Sequence, residues 1–324
     1  MSFNQQKLKE HCLKIIQDSR IKNKIVILCE GLIPPKVEGR RSPQSYKQME
    51  QMPDANFYNA CVPTWWKEYK PVFFNCGDRN DVLNTFFGLL DLHNADYSQS
   101  FLTPDKLFAI VDLDVQFAEI KEDCNYNFNN TDDIFYSIYN ETKINENHLN
   151  HHRIWITGLI HKEAYFLKPD IQEVFDNQYI ISPFISPLYK EIPVNLENIY
   201  LDMVNDMTND ADLQIHWSRV IKRISHLSSF HGMEIDKFQH FWQEEYENNQ
   251  NLHYKNKLIN AVLMLVKSKE YWKQILPDDN WPHSPYKFRE QLSLEIGKFY
   301  SKQDCIVENH IPFFFKTLYK LIEE

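Results

Sequence analysis

Four short runs of this chain are apolar without alternation. They are Ile25-Val26-Ile27-Leu28-Cys29, Val72-Phe73-Phe74, Leu107-Phe108-Ala109-Ile110-Val111 and Ile154-Trp155-Ile156. Runs of that kind suit strands of a parallel sheet covered on both faces. Segments of a different period lie around them. Residues 3–20 place Phe3, Leu8, Cys12, Ile15 and Ile16 on one side and predict an amphipathic helix. Asp54 is the expected N-cap of a helix that carries Phe57 and Tyr58 and continues through Trp65-Trp66. Asp78-Arg79-Asn80-Asp81 opens another, with Val82, Leu83, Phe86, Phe87, Leu89 and Leu90 on its apolar side. Residues 117–130 are polar and Asn-rich, hence a loop, and residues 131–146 are predicted helical with Thr131 as N-cap. The order over residues 24–157 is β-α-β-α-β-α-β. It implies an α/β fold with a mostly parallel four-stranded sheet flanked by helices.

Beyond the fourth run the period changes. His161-Lys162-Glu163-Ala164-Tyr165-Phe166-Leu167-Lys168-Pro169 reads as a helical turn stopped by proline. Residues 170–200 are irregular, with Pro183, Pro187 and Pro193, and make the best boundary. From about 196 the apolar spacing is near 3.6, over residues 212–231, 236–247, 252–275 and 284–300, and Ile311 to Leu321 closes the chain. The expected organisation is an N-terminal helix (1–23), an α/β domain (24–180) and an all-helical C-terminal domain (195–324).

Composition narrows the function. The net charge is −10, so a general nucleic-acid coat protein is excluded; any nucleic-acid contact needs a local basic patch, a metal or a partner's surface. Aromatics reach 14%, which argues against disorder. Cysteines 12, 29, 61, 76, 124 and 305 are scattered with no CxxC pair, and read as reduced thiols of an intracellular protein. The polar N-terminus is no signal peptide, and no apolar run approaches the ~20 residues of a membrane span. The expectation is a soluble cytoplasmic protein with no membrane contact. Glycine occurs only seven times, so Gly31 and Gly77, directly after apolar runs, mark tight turns or close backbone approach.

Two of the buried runs end in acid. The first stops at Glu30-Gly31, the third at Asp112-Leu113-Asp114. In an extended segment residues i and i+2 point the same way, so Asp112 and Asp114 are expected to leave the strand on one side. If the first and third strands are neighbours, Glu30, Asp112 and Asp114 converge where open α/β sheets bind ligands. Like charges held there stay ionised most easily around a hard cation, Mg²⁺ or Mn²⁺. The plainer alternative is a strand followed by an acidic, solvated turn. Residues 32–53, with Pro34-Pro35, Lys36, Arg40, Arg41 and Lys47, form either a basic loop over a phosphate backbone or a solvated surface loop. Glu163 is a further metal ligand or a helix-turn charge, and Lys162 either offsets charge on a phosphate transition state or has no role. His226, His231 and His240 match no usual ligand spacing.

Strand-Glu30-Gly31, a glycine-ended second strand and strand-Asp112-Leu113-Asp114 together resemble the TOPRIM (topoisomerase–primase) domain, over residues 24–170. The nearest kind is the stand-alone, defence-associated TOPRIM nuclease, such as the OLD-like and PARIS-effector nucleases. Asn75-Cys76-Gly77-Asp78-Arg79-Asn80-Asp81-Val82 is similar to the Gly-x-x-Asn-Val turn of the nuclease branch, and Ile160 to Leu167 looks like the acidic segment after the fourth strand. Residues 32–53 then stand as an insertion between the glutamate and the helix opened by Asp54. Asp78 stands where some relatives carry a basic residue.

The resemblance implies phosphodiester hydrolysis with Mg²⁺ or Mn²⁺, in DNA or RNA, by an anti-phage or toxin-like effector. Glu30 would be a ligand or general base, Asp112 and Asp114 ligands, Glu163 a second-metal ligand and Lys162 catalytic. Arg40, Arg41 and Arg79 would bind substrate. Topoisomerase activity is not expected, because none of the 17 tyrosines is marked as a nucleophile, nor is primase activity, because zinc-ribbon cysteines are missing. A protein partner or homo-oligomer is expected to help set activity. The alternative is a catalytically silent TOPRIM-like interaction or sensor subunit of a defence complex. A third option is a phosphohydrolase acting on a small nucleotide.

Overall fold

In the computed structural model the apolar runs become β1 (Val26–Cys29), β2 (Val72–Asn75) and β3 (Leu107–Val111), every residue of them buried. A short antiparallel pair, β4 (Tyr139–Asn140) and β5 (Lys143–Ile144), precedes β6 (Ile154–Ile156). The structure describes residues 3–31, 53–120, 128–149, 152–176, 194–277 and 281–323. Four strands form one all-parallel sheet in the order β2-β1-β3-β6. Cys29 of β1 is level with Asn75 of β2 and with Ile110 of β3. From β1 the chain goes to β2 on one side and returns to β3 on the other. The strand order therefore reverses between β1 and β3, and the carboxyl ends of those two neighbours mark the crevice where such sheets take ligands.

By contact the chain divides into two units: residues 1–112, 118–156 and 297–324, and residues 113–117 and 157–296. The linear boundary near 180–195 expected from the prolines is not where this division falls. Residues 157–176 group with the helices of the second unit, and the final helix, His310–Glu323, groups with the sheet of the first. The reason is its aromatic face. Phe314 stacks on Trp155 of β6 at 4.3 Å and 8°, and Phe315 meets Phe73 of β2 edge-on at 6.2 Å.

Within unit 1, the helix Gln5–Ile16 is capped by Asn4, whose side chain accepts from the Lys7 N–H, and buries Cys12, Ile15 and Ile16. The helix Arg79–Ala95 starts on a capping box between Asp78 and Asp81. Two helices stop short of expectation. The one at Asp54 runs Pro53–Ala60, so Asp54 lies in its first turn and Trp65-Trp66 lie beyond it. The one at 131 runs Thr131–Ile138 and is capped by Asn130, which accepts from the Asp133 N–H. Tyr139 cannot continue it because its hydroxyl is tied to the Ile156 carbonyl at 2.9 Å and the β4–β5 turn follows, with Glu141 in the left-handed region at φ 60°.

Within unit 2, the helices are Leu196–Asp206, Ala211–Val220, Ile235–Asn248, Leu252–Leu265, Lys269–Gln274 and Pro285–Tyr300, the last of which runs on into unit 1. Of the four tryptophans whose helical spacing predicts core positions, Trp217, Trp242 and Trp272 are buried and Trp281 is only half-buried; Trp242 donates its indole N–H to the Leu258 carbonyl at 2.9 Å. Among the described residues no helix is long and apolar enough to cross a membrane.

Candidate functional site

At the carboxyl end of β1, Glu30 turns toward β3. Its Oε1 accepts the backbone N–H of Asp112 at 2.7 Å. Asp112 follows directly on Val111, the last residue of β3, and is 4% exposed. So the glutamate from one acid-tipped strand reaches the aspartate's backbone at the other, inside unit 1. The donor is a neutral backbone amide, and the bond fixes the direction of that carboxylate oxygen.

Gly31 and Gly77 close the same end of the sheet by exchanging backbone hydrogen bonds of 2.8 and 2.9 Å. A Cβ at Gly31 would lie 2.5 Å from Oδ2 of Asp54 and 2.6 Å from Cγ of Asn75. Glycine is required there by close approach, as its place after an apolar run predicts. At Gly77 φ is +87°. Asn75 is fully buried. Its Oδ1 accepts the Ala55 N–H at 3.0 Å and meets the Cys29 thiol at 3.3 Å, while its Nδ2 has no partner among the described residues. Sequence reasoning passed over Asn75; its signal was the single amide that interrupts the second apolar run. Arg79 is half-buried at the first position of its helix. Arg40 and Arg41, with most of the expected insertion, lie outside the described residues.

Asp114 is handled differently. The i, i+2 expectation needs extended backbone, but β3 ends at Val111 and Asp114 has φ 53°. That residue belongs to unit 2, where its N–H donates to the Ile160 carbonyl at 2.9 Å and its Oδ1 accepts the Val115 N–H at 2.6 Å. The same Oδ1 lies 3.8 Å from Nε2 of His161. The Asp114 carbonyl accepts from Arg223 at 2.7 Å, and the Val115 carbonyl accepts from Arg219. These two arginines had no signal in the sequence, because they sit in an ordinary helical pattern and meet residues about a hundred positions away.

Beside them, Lys162 Nζ lies 3.4 Å from Oε1 of Glu163. Burial pushes the Glu163 carboxyl up, but Lys162, Lys269 and His161 outweigh it and hold the group below the ordinary carboxylate value. Burial also pushes the Lys168 ammonium down. His161 is 3% exposed, and its Nδ1 has no partner among the described residues. A cavity of about 480 Å³ in unit 2 is walled by Pro169, Leu196, Tyr200, Tyr246, Leu252 and Ile259, and none of the acids singled out from the sequence lines it.

As a metal centre, the arrangement is open. Among the described residues no group of three or more His, Cys, Asp or Glu is placed to hold a metal ion. Mg²⁺ does not demand such a group: it keeps several waters and is held by one or two carboxylates plus substrate phosphates. What the structure shows of such a pair is the Glu30 carboxylate at the Asp112 backbone N–H, with Asp112 itself buried. Three of the buried thiols are poor cation ligands, because burial pushes Cys61 and Cys76 well above their usual value and Cys12 up to about 12. No family model, curated protein or solved structure matches this chain.

Proposed function

We propose that the chain is a metal-dependent nuclease of the TOPRIM kind, hydrolysing phosphodiester bonds in DNA or RNA with Mg²⁺ or Mn²⁺. The observation that carries this reading is the Glu30 carboxylate held 2.7 Å from the Asp112 N–H where the strand order reverses. Glu30 and Asp112 would hold the cation. When bound, it would polarise a phosphate and lower the pKa of a water. The chain's own contribution is to fix the Glu30 carboxylate by a backbone donor and to leave little water around Asp112. Asp114 and Glu163 were expected as further ligands; the reading now gives them the contacts they have, Asp114 to His161 and Glu163 to Lys162. An anti-phage or toxin-like role, and a partner or second copy that sets activity, belong to the same proposal. The test is Glu30→Ala, assayed on plasmid, single-stranded DNA and tRNA with and without Mn²⁺. Metal-dependent cleavage by the wild type that the variant loses supports the reading, and unchanged cleavage removes Glu30 from the chemistry.

A second reading is a catalytically silent sensor or interaction module. It is favoured by the small donor set at the strand tips and by the cations already set against Glu163. Such a module takes up no Mn²⁺ in a manner that depends on Asp112.

A further inference from the structure

In a chain of net charge −10, a nucleic-acid contact needs a local surface of the right chemistry. Within unit 1, residues 64–70 (Thr-Trp-Trp-Lys-Glu-Tyr-Lys) form one. Six of the seven side chains are exposed, and Trp66 is fully buried as the anchor. Its indole N–H donates to the Glu68 carbonyl at 2.9 Å, and its ring meets Phe315 at 6.4 Å and Tyr319 at 5.2 Å, both edge-on. The Thr64 N–H is tied to the Ser301 carbonyl at 3.2 Å. Trp65 is 44% exposed, yet it does not swing freely: it lies parallel to Trp66 at 6.4 Å and meets Tyr319 edge-on at 4.9 Å. Tyr69 is 62% exposed and has φ 53°, a left-handed conformation that bulky residues rarely adopt.

Two large rings are thus held out in solvent on an anchored turn, against the cost of exposing them. Between and beside them stand Lys67 and Lys70, neither ion-paired among the described residues, against the single acid Glu68. Aromatic faces interleaved with cations are the chemistry that binds unpaired bases and their phosphates. A base-paired duplex offers no free base faces to such rings.

We propose that this turn is a stacking platform for single-stranded nucleic acid, with Trp65 and Tyr69 taking bases and Lys67 and Lys70 the adjoining phosphates. This rests on the nuclease reading and narrows its substrate class to single strands. The test uses the full chain in EDTA, so that no cleavage occurs, and follows fluorescence anisotropy of labelled dT20, rU20 and a 20-base-pair duplex. Both single strands, or one of them, should bind more tightly than the duplex; the two arms separate DNA from RNA. Tyr69→Ala and, separately, Trp65→Phe test the rings, because Trp65 also packs on Tyr319. Tyr69→Ala should weaken single-strand binding about 10-fold, and Lys67→Ala with Lys70→Ala should lower the salt slope by about one per lysine. Single-strand binding that Tyr69→Ala leaves unchanged, a duplex bound as well as either strand, or no binding at all overturns the proposal. Metal-free binding does not need Glu30. A chain that binds single strands without ever cleaving refutes the nuclease reading alone, and one that cleaves but fails this binding test refutes the platform alone.

Discussion

The strand tips of unit 1 and the residues after Thr157 in unit 2 each bury a carboxylate, and they surround it differently. At the tips, Glu30 accepts a backbone N–H and Asp112 is 4% exposed. In unit 2, Glu163 is set among Lys162, Lys269 and His161. A backbone donor orients a carboxylate, whereas an ammonium at 3.4 Å also compensates its charge. The first arrangement is the one the proposed cation site uses. The second is suited to holding a segment in place.

The contrast can be broken from beneath. Phe314 supports the sheet of unit 1 through its stack on Trp155, so Phe314→Ala should cost about 3–5 kcal/mol in chemical denaturation. Hydrogen exchange should quicken in β3 and β6 before it does in the helix Leu252–Leu265 of unit 2. Equal quickening in both would mean that the two units share one cooperative core.

The chemistry separates the regions next. Glu30→Gln should lower metal-dependent cleavage by about 100-fold or more, while Glu163→Gln should fall short of that. Equal losses would erase the distinction. Gly31→Ala sharpens it at the level of the backbone. Its methyl would meet Asp54 and Asn75, at a cost of about 1–3 kcal/mol in thermal or denaturant unfolding.

The smallest effect is on acid stability. The folded-state pKa of Glu163 is below its ordinary value, so the group contributes stability that is present above the ordinary carboxylate range and is lost as pH falls through the lowered value. Glu163→Gln should therefore flatten the acid limb of a stability–pH curve, and an unchanged limb would show that the surrounding cations do not act on it.

Much of unit 1 was legible because its signals are local. An uninterrupted apolar run is a buried strand whatever surrounds it: β1, β3 and β6 each fall inside one, and β2 runs one residue past its own, to Asn75. Glu30 and Asp112 were legible for the same reason, being the first acids after two such runs. Asp114 was not. Its conformation follows from a bond to Ile160, 46 positions on, that ends the strand two residues early for any rule of alternation. The division into units was equally hidden. The aromatic face of His310–Glu323 declares an amphipathic helix, but nothing in its spacing says which part of the chain it will cover.

The account stands on one pair of residues, Glu30 and Asp112, acting together on a divalent cation. Calorimetric titration of Mn²⁺ into the wild type, Glu30→Gln and Asp112→Asn measures this directly. The predicted result is binding by the wild type that each substitution weakens about 10-fold or more. No binding by the wild type, or the same binding by all three, would contradict it.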